Sequence, residues 1–269
     1  MKLCIYGTRP EEIKLYPFTK YDGFEFLQVN QSKDLHQGLI IPQYLCEEKV
    51  LKQAIKDINP EMVLVQGDTR TAFYGAVYAY ELGIPVAHIE AGLRTGDLYA
   101  PHPEEGYRVM IDGIAEHRYC SRAEAAENCQ GKFVGQTGID TLFDFCGDIT
   151  EGDYLIVTIH RNENYEKLPQ IIKQIKQAGK EINLKIFAHP NKVGQELKKH
   201  FDCLKPLNYK EFVRLLAQSY GVMTDSGGLQ EEAIALGKKC FVLRDKSERS
   251  NEDVYTKGAT KKIVEDLNG

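Results

Sequence analysis

Short, almost wholly apolar runs that end in polar turns alternate along most of this chain with stretches of helical periodicity. In the first half "LCIYG", "EFLQVN", "MVLVQG", "PVAHIE" and "KFVGQTG" read as strands; "YLIVTIH", "LKIFAHP", "GVMTD" and "CFVLRD" do so in the second. Between them Phe73, Ala76, Val77 and Tyr80 recur at helical spacing, as do Tyr107, Met110, Ile111 and Ile114, and Leu168, Ile171, Ile172 and Ile175. A strand apolar on both faces has to be covered on both faces. The pattern therefore predicts α/β architecture with parallel sheets between helices. At 269 residues the chain is long enough for two such domains. The least periodic stretch, "DFCGDITEGD" from Asp144 to Asp153, places the boundary, giving domains of 1–147 and 148–269. In open α/β sheets ligands bind beyond the carboxyl ends of the strands, so two such domains are expected to face a cleft.

Acidic residues number 39 against 34 Lys and Arg, and the formal net charge of -5 offers no general attraction for nucleic acid or an anionic membrane. Any anion site must be local. Seven widely spread cysteines, without a C-x-x-C pair or metal-ligand spacing, read as reduced thiols. The start "KLCIYGTRP" turns polar too soon for a signal sequence, and no apolar run approaches membrane-spanning length. A soluble, cytoplasmic protein is expected, with no bound metal.

The polar residues at strand ends carry the chemistry. "YGTRPEEIK" follows the first strand with a single glycine, so neither the dinucleotide fingerprint nor a P-loop is present. Arg9 and Lys14 would supply cations to a phosphate, with Pro10 suited to a helix start. In "MTDSGGLQEEA" a strand gives way to Ser226, Gly227 and Gly228 at the opening of a helix, where exposed amides and the helix dipole favour phosphate oxygens. Glu232 lies one turn further on, in reach of ribose hydroxyls. His160 in "VTIHRNEN" and His189 in "FAHPNK" end neighbouring strands, whereas His88 sits inside a strand and reads as a satisfied core histidine. Asp68, Glu90 and Glu104 stand in loops separated by whole structural units. Helix capping competes as an explanation for Asp68 and Glu104, and least for Glu90, which meets "AGLRTG" with no cap to make. "LRDKSERSNE" adds Arg244 and Arg249. A site with cations and amides at one end, and carboxylates and imidazoles at the other, can hold a diphosphate at one end and do acid–base work at the other.

"GTRPEEIK", "GDT", "HIEAGLRTGDLYAPHPEE", "HRNEN" and "DSGGLQEEA" resemble, in order and wording, the non-hydrolysing UDP-N-acetylglucosamine 2-epimerase family. The resemblance implies two Rossmann-like domains as in GT-B glycosyltransferases, a UDP-sugar between them, no NAD or metal cofactor, and a homodimer, often regulated by its own substrate in bacteria. It further implies elimination of UDP to a 2-acetamidoglucal followed by re-addition. By position, Asp68, Glu90 and Glu104 resemble the catalytic carboxylates, with the base among them left open, and His160 the histidine near diphosphate and sugar. Arg9, Lys14, Ser226, Gly227, Gly228 and Arg249 resemble phosphate-binding positions, Glu232 the ribose ligand, and Arg108 and His189 further site positions. The family's "TERPE" stands here as "SERSNE", its "GQH" stretch is not recognisable, and the chain ends at "KKIVEDLNG", which together suggest a compact variant. An epimerase of a modified UDP-sugar, a hydrolysing variant and a weakly active UDP-sugar binder remain as alternatives.

Overall fold

A computed structural model describes residues 1–30, 38–161, 164–243 and 255–269. Arg249, Arg244 and Glu163 lie outside the described residues. Contacts divide the chain into two compact units, Met1–Thr141 with Thr256–Gly269, and Leu142–Tyr255.

The first unit holds seven parallel strands among the described residues: β1 (Lys2–Tyr6), β2 (Phe24–Val29), β3 (Tyr44–Cys46), β4 (Met62–Gln66), β5 (Val86–Ile89), β6 (His117–Cys120) and β7 (Lys132–Phe133), in the order β3-β2-β1-β4-β5-β6-β7. Its helices include α1 (Arg9–Leu15), α2 (Leu51–Ile58), α3 (Arg70–Glu81), α4 (Glu104–Ile114) and α5 (Ala123–Cys129). The next helix, α6 (Thr137–Phe145), runs across the division. The apolar continuity of β1 and β4 has a direct cause. Leu3, Ile5, Val63 and Val65 pack under Ala72, Ala76 and Ala79 of α3 on one face. Cys4, Tyr6 and Leu64 pack with Phe18, Phe26 and Tyr119 on the other. Gly75 lets α3 lie close, since a Cβ there would meet Ile5 and Val65 at 3.3 Å.

The second unit holds β8 (Tyr154–Ile159), β9 (Asn183–Ala188), β10 (Gly221–Thr224) and β11 (Lys239–Val242), all parallel, in the order β11-β10-β8-β9. Its described helices are α7 (Leu168–Ala178), α8 (Lys192–Leu197), α9 (Tyr209–Ala217) and α10 (Gly227–Ala235). Leu168, Ile171, Ile172 and Ile175, the apolar stripe of α7, cover Leu155 and Val157 as the spacing predicts.

Two expectations change. The last helix, α11 (Ala259–Asn268), falls in the range read as the second domain but packs with the first unit. Ile263 and Val264 join the core beside Phe18 and Tyr119. Asp140 also accepts hydrogen bonds from the Gly258 and Thr260 amides at 2.5 and 2.7 Å. The strand read in "KFVGQTG" stops at Phe133, because Gly135 turns to a φ of +99° and Thr137 already begins α6.

Each sheet has a place where the chain order reverses. In the first unit it lies between β1 and β4, in the second between β8 and β10. Loops leaving adjacent strand ends at such a point diverge and leave room for a ligand.

Candidate active site

The acids of the first unit sit beyond β4 and β5. Gln66 pairs in register with Ile89, and the Gly67 amide donates to the Ile89 carbonyl at 2.9 Å, so Asp68 and Glu90 leave neighbouring strand ends. Asp68 does not cap α3. That task falls to Thr69, whose hydroxyl accepts the Ala72 amide at 3.0 Å. Asp68 instead pairs with Arg108 through Nε at 2.6 Å and Nη2 at 2.5 Å. The third guanidinium nitrogen of Arg108 donates to Glu105 at 3.0 Å. Burial alone would lower the Arg108 pKa, but the two carboxylates outweigh it and hold the value above the usual one.

Glu90 has a left-handed backbone, φ 67°, which a residue with a Cβ adopts at a cost of about 1–3 kcal/mol when its surroundings impose it. Its carboxylate accepts from Lys14 and from the Gln66 amide. Lys14, expected to face a phosphate, is thus paired with a candidate catalytic acid. Arg9, first residue of α1 and half-buried, has no ion pair with a described residue.

Glu104 and Glu105 both lie in the first turn of α4, yet they differ in kind. Glu105 is buried and accepts the Thr95 and Gly96 amides at 2.8 and 3.2 Å. Burial raises its pKa, but those amides and Arg108 outweigh the burial and leave the carboxyl below the usual range. Glu104 makes no side-chain cap and has no partner among the described residues. It falls on the same helix face as Arg108, four positions on.

Several further residues support these loops, and of them only His88 was singled out from sequence. Glu11, fully buried, accepts the Gly7 amide at 3.0 Å and the Thr69 hydroxyl at 2.5 Å, tying the loop after β1 to the loop after β4. Burial raises its pKa despite these bonds. Glu12 accepts the Leu39 and Ile40 amides at 2.7 and 3.3 Å. His88 is the core histidine expected, with Asp112 at 2.6 Å from Nδ1 and the Gly67 carbonyl at 2.8 Å from Nε2. Paired acids at a helix start are the only hint that Glu11 and Glu105 leave in the sequence.

In the second unit Thr158 and Thr224 pair in register, with their hydroxyls 3.0 Å apart, so His160 and Ser226 follow adjacent strand ends. Asp225, fully buried and not singled out within "MTDSGGLQEEA", ties together the described residues on either side of that loop. It accepts the His160 and Arg161 amides at 3.2 and 2.9 Å, the Asn164 amide nitrogen at 2.8 Å and the His160 Nδ1–H at 2.9 Å. Burial pushes the Asp225 pKa up, yet the bonds from His160 and Arg161 prevail and keep it below the usual range. His189, after β9, sits with its ring centroid 6.1 Å from that of His160. Ser226 caps α10 by accepting the Leu229 amide at 3.4 Å. As first-turn residues, Gly227 and Gly228 have amides without intrahelical acceptors. A Cβ on Gly228 would meet nothing within 4 Å among the described residues, so that side of the turn is open there. Glu232 receives a hydrogen bond from the Tyr209 hydroxyl at 2.9 Å.

This arrangement meets matching relatives across both units. The sequence profile of the UDP-N-acetylglucosamine 2-epimerase family matches residues 48–264. The chain belongs to that family. It is similar to UDP-N-acetylglucosamine 2-epimerase of Bacillus subtilis, 33% identical over 92% of this chain and 79% of the relative. Among solved structures it resembles UDP-GlcNAc 2-epimerase from Neisseria meningitidis bound to UDP-GlcNAc, with TM-score 0.79 and 29% identity over 100% of this chain and 91% of the other. The rhamnosyltransferase SpnG, at TM-score 0.56 and 13% identity over 91% and 81%, shares the fold alone, in keeping with the GT-B-like class. The epimerase profile spans Asp68, Glu90, Glu104, Arg108, His160, His189, Ser226 and Glu232; Arg9 and Lys14 precede it.

Proposed function

We propose that the chain is a UDP-N-acetylglucosamine 2-epimerase that interconverts UDP-GlcNAc and UDP-ManNAc. The observation that carries this reading is the presence, in a chain of this family, of Asp68 and Glu90 in the loops after β4 and β5 and of Glu104 at the start of α4, none of them making a side-chain cap. Carbon 2 of the sugar has no adjoining carbonyl, so its hydrogen is not acidic enough for simple deprotonation. Elimination avoids the difficulty. A carboxylate takes the proton from carbon 2, the C1–O bond breaks with its electron pair leaving on UDP, and a 2-acetamidoglucal remains. Return of a proton to the opposite face of carbon 2, with UDP re-adding at carbon 1, gives the epimer.

The two units divide this work. In the first, Asp68, Glu90 and Glu104 move protons at the sugar, and Lys14 and Arg108 orient Glu90 and Asp68 through their ion pairs. Arg9 meets the diphosphate, where a guanidinium is stronger than a point charge. In the second, the Ser226–Gly228 turn binds phosphate oxygens at the start of α10, Glu232 a ribose hydroxyl, and His160 and His189 the region between diphosphate and sugar. Arg249 is proposed as a further phosphate ligand. No cofactor is assigned.

The seven free thiols support a cytoplasmic location, and no described helix is long and apolar enough to cross a membrane. Tyr80 on α3 and Met110 on α4, read from sequence as helix-face residues, are exposed; with Val109 they support a homodimer, to be checked by light scattering. The product, an activated N-acetylhexosamine, suits polysaccharide synthesis. The deciding experiment follows UDP-GlcNAc by NMR in deuterated water. UDP-ManNAc with deuterium at carbon 2 is expected. Free UDP accumulating without an epimeric nucleotide sugar would point to hydrolysis, and an unchanged sugar with protium at carbon 2 would end the epimerase reading.

A further inference from the structure

Asp112 is on α4, one turn after Arg108, and its carboxylate bonds to none of the residues assigned to substrate, yet it joins the loops that carry two of the proposed catalytic acids. One oxygen meets His88 Nδ1 at 2.6 Å, and His88 Nε2–H donates to the carbonyl of Gly67, the residue before Asp68. The other accepts the Gly92 amide at 3.0 Å and Arg94 Nη2 at 2.6 Å, both just beyond Glu90. Asp112 is 6% and His88 0% exposed, so water does not compete for these bonds. Burial raises the Asp112 pKa, but His88 and Arg94 outweigh it and keep the carboxyl below the usual range.

The loops on either side need such a hold. Gly67 and Gly92 have φ of +69° and +79°, and Glu90 between them has +67°. Gly92 is also fixed from behind, where the Asn128 amide donates to its carbonyl at 3.0 Å and a Cβ would collide with the Ala125 carbonyl at 1.9 Å. Both ring nitrogens of His88 face protein oxygens, so neither is directed at a substrate.

We infer that Asp112 and His88 are positioning residues that fix the Asp68 turn and the Glu90 loop relative to one another, and so set the turnover of the epimerase without touching the substrate. This rests on the epimerase reading above. Displacement of a catalytic group by about 1 Å can cost roughly 100-fold in rate, so loss of the brace acts on kcat before KM.

The test compares Asp112→Asn, His88→Gln and His88→Ala with Ile111→Val, a core change beside Asp112 that leaves the hydrogen bonds intact. Each variant is assayed for kcat, KM, UDP affinity and thermal midpoint. For Asp112→Asn and His88→Ala a fall in kcat of about 10- to 100-fold is expected, with KM and UDP affinity within about 3-fold. His88→Gln keeps an N–H for the Gly67 carbonyl and should recover part of the loss. Ile111→Val, even with a comparable drop in midpoint, should keep its kcat. Should Ile111→Val lose as much kcat at equal destabilisation, or Asp112→Asn retain wild-type kcat, the positioning role is overturned.

A separate arm needs no turnover. Amide hydrogen exchange of Asp112→Asn should speed up across residues 66–69 and 90–96 and leave the second unit unchanged. Unchanged exchange in both segments also overturns the inference. A wild-type chain that fails to epimerise would remove the catalytic reading while this arm still decides whether the brace exists.

Discussion

Each unit sets a histidine against a buried aspartate, and the two pairs are opposite in character. In the first, His88 is wholly buried and both its nitrogens face oxygens, Asp112 on one side and the Gly67 carbonyl on the other. In the second, Asp225 engages Nδ1 of His160, whose side chain remains 43% exposed, and Nε2 has no partner among the described residues. The carboxylates are alike: each is buried and collects several donors, and burial is outweighed so that the acid stays below the usual range. What differs is the position of the histidine along its strand. His88 is inside β5, while His160 comes one residue after β8 ends. A strand-end position leaves the second nitrogen open to a ligand, whereas a mid-strand position turns the same pair into a brace.

The largest effects should come from groups that neither pair contains. Asp68→Asn, Glu90→Gln and Glu104→Gln are each expected to reduce kcat by about 100- to 10,000-fold, with UDP affinity little changed. Steady-state kinetics with UDP calorimetry checks this; variants that keep kcat and lose UDP binding would reverse the division of labour between the units. Glu105→Gln sharpens the point, because a carboxylate held by the Thr95 and Gly96 amides should cost stability more than chemistry.

A smaller effect separates the open pair from the locked one. Asp225→Asn and His160→Asn should each reduce kcat by about 10- to 100-fold, and the double variant by much less than the product, because the aspartate acts through the imidazole. Full additivity would show that Asp225 serves only to hold the Arg161 and Asn164 loop.

The smallest effect concerns acid stability. Asp112 and Asp225 have folded-state pKa values below their unfolded ones. Their contribution is therefore fully present above the unfolded carboxyl value of about 3.9 and is lost as pH falls toward the folded value. Denaturant unfolding between about pH 2 and 5 should show a shallower acid limb in Asp112→Asn and in Asp225→Asn than in wild type. An unaltered limb in either variant would mean that its pair contributes nothing through ionisation.

Much of the fold was legible because burial on both sheet faces leaves a local trace. The runs in β1, β4 and β8 hold four consecutive apolar residues and those in β5, β9 and β10 shorter ones, and the structure places strands there. Strands β3 and β6 were missed for the complementary reason. "YLC" is a short edge strand and "HRYC" is half polar, so neither leaves an apolar run. Candidate site residues at strand ends, among them Asp68, Glu90, His160 and Ser226, could be named from position alone. Lys14 could not be paired with Glu90 that way, nor could Glu105 be seen as a buried acceptor of loop amides, because no spacing rule encodes which distant groups meet.

The sequence by itself determined the class of sheet, the alternation of strand and helix, and the loops in which chemistry is carried, since each depends on periodicity over a few residues. Tertiary structure alone decided which strand ends are neighbours, and with them the partners. Asp112 meets His88 across 24 residues, Asp225 meets His160 across 65, and Asp140 holds the start of α11 across 118. Hydrogen bonds of a few ångströms between such distant positions depend on the order in which strands pack, and that order is settled by burial summed over the whole unit.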